Sequence, residues 1–570
     1  MKYLKQLFPI LQWMPHYQRK WLYGDLSAGL TVGVMLVPQG MAYAMIAGLP
    51  PVYGLYAALV PQLIYALMGT SRQLSVAPVA MDSLLVAAGV SVLATQGTAE
   101  YITFSLLLAF FVGFFQILLG SARLGFITNL LARPVISGFT SAAAFIIGIN
   151  QLKYFLGVDL ERSSQLVTVL WDAIKSLPEI HWLTFFIGLL AILIIKALKV
   201  VNGKIPGALV VVVVGIVAVY LSGWSDQGVR IVGEIPGGLP QFTLPNLDLS
   251  VFMSLAPLAG TIALVAFMEA YSVAKAIEAR RRNYDVKPNQ ELLAIGSANL
   301  VGALFQSYPV TGGFSRSAVN DQAGAHTQLS SVISAMLVAL VLLFLTPLFY
   351  YLPQAVLAAI IMVAVAKLVD VKYAINLFKT NRSEFVLLLI TFLATLQFGM
   401  VEGIVSGVVL SILMMLYRIA YPHIAVLGRL QGYFEFRNIR RFSDLETWPE
   451  LLLVRVDAPM IFVNVQYIRD FVLKELEKRP TVQTIILDAN AISHVDATAL
   501  EALMQLRNTL HERGIRLMYA ELVGPVRDML HKSGLIADIK EDVFLDMNEA
   551  VNYIVNKEPP QHGKEALQSN

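Results

Sequence analysis

Residues 308–324 have the sequence YPVTGGFSRSAVNDQAG, and residues 73–82 have the sequence QLSVAPVAMD. Each stretch begins with an extended-looking run that contains proline or glycine and continues into a helix, so neither is a continuous membrane-spanning helix. The two stretches open the tenth and the third of about fourteen predicted spans and therefore lie seven spans apart. Glycine and proline could merely kink one ordinary helix, but matched broken segments in two halves indicate a transporter with inverted repeats.

The composition places most of the chain in a membrane. Of 570 residues, 56% are hydrophobic and only 14% are charged, and the mean hydropathy is +0.65. About a quarter of the residues are charged in an ordinary soluble domain, so that class is excluded. A net charge of +3 is too balanced to suggest a nucleic-acid-binding protein. The chain has no cysteine, which excludes disulfides and cysteine-metal sites, and we predict no cofactor or metal.

The spans predict an all-α polytopic membrane domain with both ends on one side. They begin near Leu26, Tyr53, Pro78, Ile102, Leu130, Trp182, Ile205, Ser254, Glu291, Phe314, Gln328, Pro353, Glu384 and Glu402. Basic residues such as Arg280, Arg281 and Arg282 fall on the side of the termini, whereas the 222–252 loop on the other side is acidic. The positive-inside rule makes the termini cytoplasmic. We expect an integral protein of a bacterial inner membrane.

A change in composition near Tyr421 indicates a second domain. We predict a transmembrane domain at 1–420, a basic linker at 421–439, a soluble domain at 440–557 and a tail at 558–570. The soluble part alternates short apolar runs with amphipathic ones, a pattern typical of an α/β domain. Its predicted strands cover 451–456, 484–489 and 515–521, and its predicted helices cover 465–478, 497–513, 524–533 and 547–556.

Several motifs resemble those of one transporter family. They are LVPQGMAYA at 36–44, PPVYGLYAA at 50–58, GTSR at 69–72, NQEL at 289–292 and FSRSAVN at 314–320. Together they resemble the SulP anion transporters, the sulfate permease and SLC26 group. The resemblance implies two inverted seven-segment repeats in a UraA-like core and gate, a homodimer, and a cytoplasmic STAS domain at the C-terminus. It implies an anion substrate such as sulfate, bicarbonate, chloride, oxalate or a dicarboxylate.

The two broken segments also predict an anion site. Free N–H groups at a helix N-terminus attract anions, and Ser315 and Arg316 add a hydroxyl donor and a full positive charge. The resemblance implies that Ser315 and Arg316 contact the substrate and that Gln39 and Tyr43 line the same pocket. The predicted substrate-binding residues are Gln39, Tyr43, Ser75, Ala77, Val79, Ala80, Gly313, Phe314, Ser315 and Arg316. The alternatives are a helix-to-helix hydrogen bond for Gln39 and a buried ion pair with Asp321 or Glu269 for Arg316.

Two acidic residues are candidates for cation coupling. Glu269 is the only acid in the apolar run 261–270. Proton-coupled sulfate transporters of the family have a glutamate at this place, so the resemblance implies that Glu269 carries a proton; a fixed salt bridge to Arg316 is the alternative. Asp82 stands where the family usually has an uncharged residue. It either forms a second cation site, for H⁺ or Na⁺, or interacts favourably with the N-terminal dipole of its helix.

The soluble domain resembles STAS domains. The resemblance extends to the bacterial anti-sigma-factor antagonists, in which a serine that follows an aspartate in a loop is phosphorylated. The equivalent aspartate here is Asp496, and the residue that follows it is Ala497. His494 and Asp496 lie in a loop that we predict to be solvated, and we expect no enzyme activity. We predict a secondary active inorganic anion transporter, with proton-coupled sulfate uptake as the first choice. The alternatives are a sodium- or proton-coupled bicarbonate or C4-dicarboxylate transporter and a STAS-based membrane signalling scaffold. The expected partners are the anion, the coupling cation, membrane lipid and a cytoplasmic regulator on the STAS domain, but no nucleic acid.

Overall fold

A computed structural model describes residues 6–126, 132–158, 175–201, 206–245, 248–535 and 539–558. The chain divides into two units, Met1–Ser411 and Ile412–Asn570. The predicted span starts at Leu130 and Ile205, and the predicted tail beyond residue 558, lie outside the described residues. The predicted fold class is confirmed, with a helical membrane domain followed by a domain that contains an α/β sheet.

The membrane domain consists of helices joined by short loops. Its first half contains α1 (Arg19–Ile46), α2 (Pro51–Ala57), α3 (Val60–Met68), β1 (Val76–Ala77), α4 (Ala80–Val90), α5 (Ala99–Ser121), α6 (Arg133–Asn150) and α7 (Trp182–Val201). The remainder contains α8 (Gly207–Ser222), α9 (Leu249–Arg281), α10 (Pro288–Leu304), β2 (Thr311–Gly312), α11 (Phe314–Gln322), α12 (Leu329–Leu340), α13 (Gln354–Val365), α14 (Val371–Thr380), α15 (Arg382–Phe398) and α16 (Met400–Ala420). Two further short helices cover Ile10–Trp13 and Leu152–Leu156. Seven helical segments of the described residues are long and apolar enough to cross a membrane.

Two details of the helices depart from the predicted spans. The second span is broken into α2 and α3, because Pro61 in the first turn of α3 has no N–H with which to continue α2. The helix α14 is additional to the fourteen predicted spans. With 10 residues it is too short to cross a bilayer, and Asp370 caps its N-terminus by accepting the N–H of Tyr373.

Glycines bring two of the quoted motifs into contact. Gly40 of α1 and Gly54 of α2 meet so closely that a Cβ atom on Gly54 would lie 1.9 Å from the carbonyl oxygen of Gly40. No larger residue fits at this crossing without moving the backbone, and small residues of this kind allow close helix packing in membranes. The motifs at 36–44 and 50–58 therefore form one interface.

The second unit contains a seven-stranded sheet. Its strands are β3 (Ile424–Leu430), β4 (Phe436–Asn438), β5 (Leu445–Glu446), β6 (Leu451–Val456), β7 (Thr484–Asp488), β8 (Arg516–Ala520) and β9 (Val543–Phe544). Their order in the sheet is β4-β3-β6-β7-β8-β9, with β5 paired to β3. Its helices are α17 (Val465–Glu477), α18 (Ala497–Glu512), α19 (Gly524–Lys532) and α20 (Met547–Val555). The strands from β6 to β9 are parallel, and β3 joins β6 antiparallel.

The segment 421–439, predicted as a linker, differs in the structure. It contains β3 and β4, and β3 pairs with β6 through Ile424–Val456 and Val426–Val454. The basic residues of this segment favoured a linker in the sequence analysis. The strand that pairs with β3, β6, lies about 30 residues further along the chain. The loop before α18 has a structural role, because Asp496 caps that helix by accepting the N–H of Ala499.

Candidate functional site

The two broken segments meet in the membrane domain. β1 and β2 pair antiparallel, with Val76 opposite Gly312 and Ala77 opposite Thr311. Pro78 favours an extended conformation at Ala77, the last residue of β1, and has no N–H with which to continue the ladder; α4 then begins at Ala80. Because the two strands are antiparallel, α4 and α11 leave this small ladder from opposite ends, each with its N-terminus nearest the ladder.

Neither of these helix N-termini has a side-chain cap. The N-cap positions are Val79 for α4 and Gly313 for α11, and neither side chain accepts a hydrogen bond from its helix. The first N–H groups of an α-helix have no partner within the helix and carry a partial positive charge. Two such ends beside one ladder provide the donors that an anion requires.

Side chains of α11 bind the first broken segment. The backbone N–H of Ser75 donates to Ser317 Oγ at 2.9 Å, and Asn320 Nδ2 donates to the carbonyl oxygen of Gln73 at 2.9 Å. Arg316 Nη2 donates to the carbonyl oxygen of Ala77 at 3.1 Å. Ser317 and Asn320 were not among the predicted site residues. Their only sequence signal is the unusual polarity of α11 inside an apolar domain.

Arg316 is the central charge of the site. Its side chain is 2% exposed, and its Nε atom has no hydrogen-bond partner among the described residues. The guanidinium lies against Gly313, where a Cβ atom would come within 2.7 Å of Nη2. A side chain at residue 313 would therefore displace the Arg316 guanidinium from its present position.

The alternative ion pair with Asp321 is absent. Asp321 is bound by Arg281 Nε at 2.6 Å and by Arg280 Nη2 at 3.0 Å, both from the end of α9. No ion pair within 4 Å joins Arg316 to a carboxylate in the described part of the chain. Its full positive charge is therefore available to a ligand.

Glu269 lies near Arg316 and borders a cavity. The two side chains interact electrostatically, and Tyr43 of α1 interacts with both. Glu269 Oε2 has no hydrogen-bond partner among the described residues. Glu269, Met81 and Phe314 line a cavity of about 200 Å³ whose remaining walls come mainly from α6 and α9. A carboxyl at such a wall can exchange protons with the contents of the cavity.

The other predicted site residues lie in different environments. Those buried around the ladder and on α1 are Gln39, Tyr43, Ser75, Ala77, Val79, Ala80 and Asp82. The Ser75 hydroxyl is buried and has no hydrogen-bond partner among the described residues, so it is free to donate to a ligand. Phe314 and Ser315 are exposed, with 64% of Phe314 accessible. Both lie in the first turn of α11, where their backbone N–H groups remain part of the helix end.

A buried carboxylate anchors the chain that leads into β1. Glu291 of α10 is fully buried and accepts hydrogen bonds from Tyr65 Oη at 2.7 Å, Thr70 N at 2.7 Å, Thr70 Oγ1 at 2.5 Å and Ser71 N at 3.2 Å. The motifs at 69–72 and 289–292 are thus two sides of one contact. This contact holds the start of the first broken segment.

Replacing Glu291 by glutamine should destabilise the membrane domain. An amide oxygen can accept only part of the four bonds, and its NH₂ group would face donors, so we expect a loss of about 2–4 kcal/mol. Thermal unfolding in detergent measures this loss. Glu100→Gln is the matched control, because Glu100 also lies in the first turn of a helix but is exposed. Equal melting temperatures for the two variants would contradict the anchoring role.

Comparisons with known proteins find two matching families, similar sequences and a similar solved structure. Residues 22–391 match the Sulfate permease family and residues 443–550 match the STAS domain. The chain is 38% identical to "Sulfate transporter 4.1, chloroplastic" of Arabidopsis thaliana, with 96% of this chain and 82% of that protein covered. It is 36% identical to a probable sulfate transporter of Mycobacterium tuberculosis, with 94% of this chain and 96% of that protein covered. The structure of the murine Solute Carrier 26 member A9 anion transporter in the inward-facing state matches with a TM-score of 0.90 at 26% identity, covering 97% of this chain and 94% of that one.

Proposed function

The chain belongs to the sulfate permease family, and from this premise we propose that it is a secondary active transporter that takes up sulfate together with protons. The observation that carries the proposal is Arg316, a buried guanidinium that forms no ion pair with any carboxylate the structure describes and that lies beside two uncapped helix N-termini. A guanidinium at membrane depth is costly, and it normally marks a substrate or ion pathway. Relatives named sulfate transporters support sulfate as the anion.

The groups around Arg316 suit a tetrahedral oxyanion. Arg316 offers charged donors, Ser75 offers a free hydroxyl, and the starts of α4 and α11 offer backbone N–H groups from two directions. Hydrogen bonds between a charged donor and an oxyanion are about twice as strong as those between neutral groups. Gln39 and Tyr43 of α1 would close the site on the side of that helix.

Coupling to a cation is required by energetics. A dianion that enters against an inside-negative potential costs about 5 kcal/mol at 100 mV, because each charge costs about 2.3 kcal/mol. Uptake from a dilute medium therefore needs a driving ion. We assign proton binding to Glu269, since this carboxyl borders the cavity and interacts with Arg316. When sulfate occupies Arg316, Glu269 loses its countercharge and takes up a proton.

Uptake into proteoliposomes tests the proposal. Radiolabelled sulfate, bicarbonate, fumarate and succinate are compared under imposed pH and sodium gradients. We expect sulfate to accumulate when the outside is acidic, without sodium. Accumulation of bicarbonate or a dicarboxylate but not sulfate would contradict sulfate as the substrate. A strict requirement for sodium would contradict the proton as the coupling ion.

The cellular setting is part of the same proposal. We place the protein in a bacterial inner membrane with both termini in the cytoplasm. Counting the spans from the N-terminus puts the helix ends at Arg133, Arg281 and Arg382 on the side of the termini, and basic residues favour the cytoplasmic side.

We also propose a homodimer and a cytoplasmic regulator of the STAS domain. The domain offers a cavity of about 520 Å³ at the carboxyl ends of its parallel strands, lined by Arg455, Asp488 and Glu521 among others.

A further inference from the structure

Asp82 differs from the other buried acids of the membrane domain. It lies in the first turn of α4, is 0% exposed, and neither of its carboxylate oxygens has a hydrogen-bond partner among the described residues. By contrast, Glu291 accepts four hydrogen bonds. Asp25, equally buried, also accepts four, from Tyr17 Oη, His326 N, Thr327 N and Thr327 Oγ1. The fold therefore provides hydrogen bonds to Glu291 and Asp25 but, within the described ranges, none to Asp82.

The charged and titratable groups around Asp82 are those of the anion site. Glu269 of α9 interacts with it electrostatically, and so does Tyr308, whose hydroxyl lies 3.1 Å from the Oγ atom of Ser83. Arg316 of α11 and Tyr43 of α1 lie next to these groups and interact with Tyr308. Asp82 thus belongs to a cluster that contains one cation and two carboxyls.

The charges of this cluster restrict when sulfate can bind. With both carboxyls ionised, the cluster of Arg316, Glu269 and Asp82 carries a net charge of −1, which repels a dianion. A buried carboxylate without hydrogen bonds or a countercharge is costly, and such a group takes up a proton instead. Once sulfate occupies Arg316, Glu269 loses that countercharge and Asp82 gains none.

We propose that Asp82 binds a second coupling proton, so that each sulfate dianion enters with two protons. This inference rests on the proposed function and extends its stoichiometry. In the empty carrier the cluster has one positive and two negative charges, a total of −1. In the loaded carrier both carboxyls are neutral and Arg316 binds a dianion, again a total of −1. The protons come from the outer solution and leave to the inner one. Both half-cycles move the same charge, so transport is electroneutral.

The test measures steady-state sulfate accumulation in proteoliposomes against the pH gradient and the membrane potential. Each coupled proton contributes about tenfold accumulation per pH unit. We expect about 100-fold per pH unit for the wild type, independent of voltage. For Asp82→Asn we expect about tenfold per pH unit, with accumulation falling as the inside becomes more negative. Asp226→Asn, at an exposed aspartate, is the control and should behave like the wild type.

The other outcomes separate this inference from the proposed function. Wild-type slopes and voltage independence in Asp82→Asn would overturn the role of Asp82 and leave proton-coupled sulfate uptake intact. A sodium gradient that drives wild-type uptake at constant pH, but not uptake by the variant, would overturn the proton in favour of Na⁺. Absence of any pH-driven sulfate accumulation in the wild type would instead refute the proposed function. Sulfate exchange without gradients reports whether Asp82→Asn is folded, and Asp82→Ser replaces it if that variant is not.

Discussion

Sulfate uptake by Arg316→Ala is expected to fall to background. Arg316 supplies the only full positive charge that we place in the anion site, and truncating one partner of a buried charged pair costs about 2–5 kcal/mol. This loss corresponds to a reduction in affinity of about 30-fold or more. Uptake of radiolabelled sulfate, at matched protein levels in proteoliposomes, measures it. Arg316→Lys should retain part of the activity, because lysine keeps the charge but loses the planar fork of donors.

The matched control for this prediction is Arg280→Ala. Arg280 is one of two arginines that bind Asp321, and the other, Arg281, lies 2.6 Å from that carboxylate, so we expect Asp321 to keep a partner when Arg280 is removed. We expect uptake by Arg280→Ala to stay near the wild-type level, so a loss specific to Arg316 cannot come from a reduced number of basic residues. Undiminished uptake by a folded Arg316→Ala protein would remove Arg316 from the site.

Glu269→Gln is expected to separate accumulation from exchange. Glutamine keeps the size and hydrogen-bonding capacity of the protonated acid but cannot release a proton. Accumulation driven by a pH gradient should fall at least tenfold per pH unit, because the proton carried by Glu269 no longer enters the cycle. Exchange of sulfate for sulfate should remain measurable, since that half-cycle involves only the loaded carrier with a neutral residue 269. The combined variant with Asp82→Asn should lose the remaining pH-driven accumulation.

A structural role for Glu269 predicts a different pattern. If Glu269 served only to pair with Arg316, removing its charge would weaken sulfate binding or folding, and both assays would decline together. Gradient-driven uptake and equilibrium exchange are therefore measured on the same preparations. Equal losses in the two assays would refute the proton-carrying role, and wild-type accumulation would move the coupling site away from Glu269.

Local sequence signals predicted the fold class well. Apolar windows marked the helices, and Pro78 and the 308–313 run marked the breaks, because backbone restrictions by proline and glycine depend on the residue itself and its neighbours. The strand 451–456 was likewise predicted with the bounds observed for β6. The linker prediction at 421–439 differed from the structure because β3 becomes a strand by pairing with β6, and such pairing is not local.

The sequence by itself determined that the chain spans a membrane many times, that two spans are broken, and which buried residues carry charge there. Only the tertiary structure decided how those charges are partnered. Asp321 is bound by Arg280 and Arg281, which leaves Arg316 without an ion-pair partner among the described residues, whereas Ser317 holds the segment around Ser75. Glu291 accepts hydrogen bonds from residues about 220 positions away, and Asp82 accepts none from the part of the chain that the structure describes. The residue type sets what a group can donate or accept, but the groups within 3 Å of it are set by helices distant in the chain.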